Sequence, residues 1–96
     1  MLKVIIPKEN LIIVEYTSSR ATKIDIDSTL GCKVDYIDSV SYAVGSTHYY
    51  AKYMYNTQVG MLDIITSDDI LYITDITVNF YSSGYLRDAK LDKLLH

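Results

Sequence analysis

Across residues 70–80 the side chains sort onto two faces at every second position, and no other feature constrains the chain as strongly. Tyr72, Thr74, Ile76, Val78 and Phe80 fall on one face; Leu71, Ile73, Asp75, Thr77 and Asn79 fall on the other. Successive side chains of a strand point to opposite sides, whereas a helix repeats at three and four residues. Residues 22–27 alternate more cleanly still, with Ile24 and Ile26 opposed to Lys23, Asp25 and Asp27. That pattern predicts a half-buried strand with one wet face. Composition agrees. Ten tyrosines and many β-branched residues stand beside few Ala and Glu, the usual helix fillers.

The remaining segments extend the same reading. Apolar runs at residues 2–6 and 11–17, separated by Pro7-Lys8-Glu9-Asn10, predict an N-terminal hairpin. Pro7 cannot donate to a sheet ladder, which places it at a strand end. Both runs are nearly continuous in apolar residues, which implies burial on two faces or a place at an interface. Residues 32–38 are read as a strand that drifts near Ser39, where a bulge is expected before residues 41–44. Gly45-Ser46 marks a turn. Residues 46–56 fit either a helix, with Tyr49 and Tyr53 at i,i+4, or a strand; four tyrosines in seven residues favour the strand. A loop at residues 56–60 and a strand at residues 61–66 follow, and Ser67-Asp68-Asp69 turns into residues 70–80. Residues 85–95 predict a terminal helix, with Leu91, Leu94 and Leu95 on one side. The expected fold is one α+β, mainly β domain spanning residues 1–96. It is a twisted antiparallel sheet of about five to seven short strands with a C-terminal helix.

Candidate chemistry is sparse. His48 is the one internal histidine, and Cys32 is the one cysteine. The two could meet across a sheet as a thiol and its base, yet no nucleophile motif frames either residue. The plainer reading is a buried thiol and a surface imidazole. Asp63, Asp68 and Asp69 flank a turn but lack the glycine and closing glutamate of a calcium loop, so turn chemistry explains them. Asp88-Ala89-Lys90 resembles the ending of some metal-nuclease motifs but falls in the predicted helix. The four glycines are isolated turn residues, not a phosphate-binding loop. Asp25, Asp27 and Asp35 would share a wet face if their strands paired, with Lys23 and Lys33 diluting the charge. No metal and no cofactor is expected.

The tyrosines carry the functional expectation. They are too many for so small a core, and each hydroxyl needs a partner or water. A tyrosine-rich surface is a common composition for protein recognition. In strand geometry Tyr49, Tyr53 and Tyr55 share one face, and Tyr50 shares the other with His48, Lys52 and Met54. The chain is therefore expected to be a small non-enzymatic binding protein acting through Tyr49, Tyr50, Tyr53 and Tyr55. Its partner would be a larger protein or a second copy in a homodimer. A nucleotide- or RNA-processing dimer using His48, and a structural subunit of a viral assembly, are the alternatives.

The net charge of −3 and scattered basic residues argue against duplex DNA, although tyrosines can stack on nucleotides or RNA. No apolar run is long enough for a membrane span. One cysteine without an internal partner points to a reducing cytoplasm, a host's cytoplasm for a viral protein. In its size and lack of motifs the chain resembles accessory proteins of phages and archaeal viruses, including inhibitors of host defence.

Overall fold

The alternating segments build two sheets rather than one. The structure, a computed structural model, describes residues 1–84. Within them lie β1 (Leu2–Pro7), β2 (Ile13–Ser18), β3 (Ala21–Asp25), β4 (Tyr36–Val44), β5 (Thr47–Tyr50), β6 (Lys52–Asn56), β7 (Met61–Ile65) and β8 (Asp75–Tyr81). The first sheet has the order β1-β8-β4-β5 and the second β2-β3-β7-β6, each four-stranded and antiparallel throughout. The mainly β, antiparallel class is as expected. The single sheet of five to seven strands is corrected to eight described strands in two sheets, and the expected C-terminal helix lies outside the described residues.

One core joins the sheets. Ile76, Val78 and Phe80 from β8 and Ile24, Leu62 and Ile64 from the second sheet are at most 1% exposed. Fully burying such a side chain contributes about 1.5–3 kcal/mol, so this shared layer is the main source of cohesion. It also fixes register. A one-residue slip of β8 would turn Val78 to solvent and Thr77 into the core.

Local chemistry explains where the elements depart from expectation. The N-terminal runs do not form a hairpin: β1 pairs with β8, and β2 with β3. A 3-10 turn at Lys8–Asn10 carries the chain from one sheet to the other. The strand expected at residues 22–27 stops at Asp25, whose carboxylate accepts the Ser28 N–H at 3.1 Å and caps the helix α1 (Ile26–Leu30). Residues 32–35 precede β4 instead of belonging to it, and the bulge appears where expected, between Ile37 and Ser39. The long strand over residues 70–80 is shorter, because Asp69 accepts the Leu71 N–H and caps a 3-10 turn at Ile70–Tyr72. Residues 46–56 are extended, but as two strands. At Ala51 the N–H donates to the Val40 carbonyl at 2.9 Å, and the chain steps from the first sheet into the second.

Two glycines are obligatory. Gly45, at φ 61°, opens the two-residue β4–β5 turn, where a side chain would be strained. Gly60, at φ 71°, lies so close to Asp27 that a Cβ would stand 2.6 Å from its carboxylate.

Candidate functional site

Of the expected site residues, His48 and Tyr50 reach solvent together, on the outer face of the first sheet. Its register sets three rows. Ser41 lies opposite Thr77 on β8 and Tyr50 on β5, and Thr77 lies opposite Ile5 on β1. One row toward the β8 C-terminus, Asn79 stands between Lys3 and Ser39 and donates through Nδ2 to Ser39 Oγ at 3.0 Å. One row the other way, Ala43 separates His48 from Asp75.

Small side chains thus occupy the two central strands, with larger ones on both edge strands. The result is a trough of about 280 Å³, floored by Ser41, Thr77 and Asn79 and walled by Lys3 and Ile5 on one side and His48 and Tyr50 on the other. No carboxylate lines the trough itself; Asp75 stands on the same face one row beyond Thr77, and the chain as a whole carries a net charge of −3. Tyr50 is 82% exposed, and Ile5 is 60% exposed across the trough. Tyr36 and Tyr81 face each other at the far end of the same sheet.

The other tyrosines of the segment do different work. Tyr49 borders the trough between His48 and Tyr50, but its ring packs on that of Tyr42, ring centroids 5.6 Å apart and planes tilted by 30°. Tyr42 is buried, donates to Asp68 Oδ2 at 3.3 Å and accepts the Ser67 N–H at 3.0 Å. The Tyr53 hydroxyl contacts the carbonyls of Ile37 at 3.0 Å and Asp38 at 2.9 Å, pinning β6 to the start of β4. The Tyr55 hydroxyl sits 2.8 Å from both Asp27 Oδ1 and the Val34 carbonyl, one O–H shared by two acceptors. Burial, then the hydrogen bond and charge of Asp27, push the Tyr55 phenol well above its ordinary value. Tyr53 moves the same way, through burial and then its neighbours Tyr36 and Asp38.

The step at Ala51 also divides the outward residues. His48 and Tyr50 belong to the first sheet, while Lys52 and Met54 lie on the outer face of the second, beside Ile65 and Asp63. Cys32 packs against the shared core near Tyr55, so Cys32 and His48 lie on different sides of the first sheet. Among the described residues no carboxylate pairs with the His48 imidazole.

The acidic candidates are absorbed by structure. Asp25 caps α1, Asp27 holds Tyr55 and the Lys33 ammonium, and Asp35 accepts the Ser83 N–H, so these three share no wet face. Asp68 and Asp69 serve Tyr42 and the 3-10 turn. Among the described residues no group of three His, Cys, Asp or Glu is arranged to hold a metal ion, and no helix is long and apolar enough to cross a membrane.

A larger cavity of about 450 Å³ lies between β2 and the second 3-10 turn. Both of its charged groups are committed to backbone: Lys8 Nζ donates to the Ile70 and Leu71 carbonyls at 3.3 Å, and Asp69 caps the turn.

Sequence reasoning missed Lys3, Ile5, Ser41, Thr77 and Asn79. Alternating small polar residues on two strands were the available signal, but only the register joins them into one floor. Comparison of the chain with protein-family models, with curated proteins and with solved structures found no match.

Proposed function

We propose that this chain is a non-enzymatic binding protein that presents the outer face of its first sheet to a larger protein partner. The observation that carries this reading is Tyr50, 82% exposed on a four-residue edge strand beside a trough with a polar floor. A large aromatic ring beside a concave surface is the usual form of an interface anchor, and truncating such an anchor costs about 2 kcal/mol or more of binding. The hydroxyls of Tyr53 and Tyr55 bond within the molecule and the Tyr49 ring packs on Tyr42, which favours folding roles for these three and Tyr50 as the contact residue. A cytoplasmic setting suits a chain with one cysteine.

The test compares capture of proteins from a cell lysate by the immobilised chain and by its Tyr50→Ala and Tyr55→Ala variants, with melting temperatures measured in parallel. Tyr50→Ala should lose the retained partner and keep the wild-type melting temperature, whereas Tyr55→Ala should melt earlier. Unchanged capture by a folded Tyr50→Ala protein overturns the reading. The same outcome with activity lost in His48→Ala alone would favour the enzymatic alternative, since removing a general base costs a factor of about 10²–10⁴.

A further inference from the structure

The trough has a direction and a charge pattern, and together they specify more than a contact surface. Its walls run parallel to the strands, because β1 and β5 are the two edges of the first sheet. Three inter-strand spacings separate these edges, roughly 14 Å between backbones. That is room for one extended chain lying over the small floor residues of β4 and β8. Lys3 and Ile5 are two residues apart on β1, so their rows are about 6.8 Å apart along the trough. An extended peptide has the same two-residue period on each of its faces.

We propose that the trough binds an extended segment of a partner protein bearing an acidic residue and, two positions away, an apolar residue. This rests on the binding reading above and names the chemistry of the partner at that same site. The acidic side chain enters the row of Lys3 and Asn79, where the trough offers an ammonium and an amide, two rows away from Asp75, the carboxylate on this face. The apolar side chain enters the next row, between Ile5 and Tyr50. The hydroxyls of Ser41 and Thr77 lie beneath it as hydrogen-bonding groups for the peptide backbone. Charge complementarity favours this occupant over a second copy of the chain, since two copies each carry a net charge of −3 and repel. It also selects a peptide over single-stranded nucleic acid. One lysine answers a single carboxylate, but a phosphate backbone calls for a row of cations.

The experiment titrates the intact protein with two synthetic peptides, blocked at both ends. They have the sequences Ser-Thr-Glu-Thr-Leu-Thr-Ser and Ser-Thr-Lys-Thr-Leu-Thr-Ser, and amide chemical shifts are the readout. The Glu peptide should shift the amides of β1, β5 and the facing part of β8, and should bind roughly three- to tenfold tighter than the Lys peptide. In Lys3→Glu protein the preference should reverse, and Tyr50→Ala should weaken both peptides. Lys3 and Tyr50 are both exposed, and melting temperatures verify that each variant folds.

Three results of the titrations with the wild-type protein and Tyr50→Ala overturn the proposal, and two patterns among the variants do so as well. The first is equal affinity for the two peptides. The second is tighter binding of a single-stranded oligouridylate on the same face. The third is a dimer that forms through this face and dissociates on Tyr50→Ala. If Tyr50→Ala abolishes partner capture while Lys3→Glu leaves peptide choice unchanged, the binding face stands and the acidic-x-apolar pattern is wrong. If neither variant changes anything, the face itself is wrong.

Discussion

At the scale of single residues, Thr22 marks the least satisfied point of the interior. It faces the core from β3, with Tyr16 and Ile64 as its cross-strand neighbours, and is 2% exposed. Among the described residues its hydroxyl has no hydrogen-bond partner. A buried, unpaired polar atom costs about 1–3 kcal/mol, and valine keeps the side-chain shape without it. Thr22→Val is therefore expected to raise the urea midpoint while leaving the slope of the transition unchanged. A lowered midpoint would mean that the hydroxyl is satisfied in solution. Sequence could not single out Thr22, because inward Thr is ordinary in strands and only the neighbours decide whether its oxygen is paired.

At the scale of elements, the contacts of Tyr53 and Tyr55 close the sandwich where β6 meets the approach to β4. The phenol of Tyr55 ionises in the unfolded chain near its ordinary value of 10.0, and later in the folded one. The folded state therefore holds this proton more tightly. The stability that goes with it is complete below about pH 10 and is lost as pH rises through the higher folded value. Urea melts at pH 8 and pH 11 should show a steep loss for the wild type. Tyr55→Phe should start less stable at pH 8, by about 1–3 kcal/mol for a hydrogen bond to a charged acceptor, and lose less on going to pH 11. Equal losses in the two proteins would sink this assignment.

The elements also show what one-dimensional pattern can convey. Alternation located most strands, because the face a side chain takes depends only on its own position. Pairing partners were not legible for β1 and β2. A short turn between two apolar runs looks the same whether it closes a hairpin or crosses between sheets, as the turn at Lys8–Asn10 does. The site was half legible for the same reason. The period-two pattern puts His48, Tyr50, Lys52 and Met54 on one face without telling whether it is the wet one, and Lys52 and Met54 leave that face at Ala51.

At the scale of the whole molecule, the order β1-β8-β4-β5 makes the trough a product of the most distant pairing in the described chain. Leu2 meets Phe80, 80 − 2 = 78 residues later, and Lys3 and Ile5 reach the trough only through that ladder. The wall built by β5 depends instead on a tight turn at Gly45. Closing a long loop costs entropy before its contacts reward it, so the β4–β5 hairpin should form early and the β1–β8 ladder late. Refolding is expected on the millisecond-to-second scale typical of non-local β folds. Val4 sits opposite Val78 in the distant ladder, so Val4→Ala should mainly accelerate unfolding. A core change in the early hairpin, Val44→Ala, should mainly slow folding. Stopped-flow chevrons of the two variants separate these effects. If Val4→Ala slows folding as much as it destabilises the protein, the N-terminal strand is already docked at the barrier. The trough would then be assembled together with the core rather than after it.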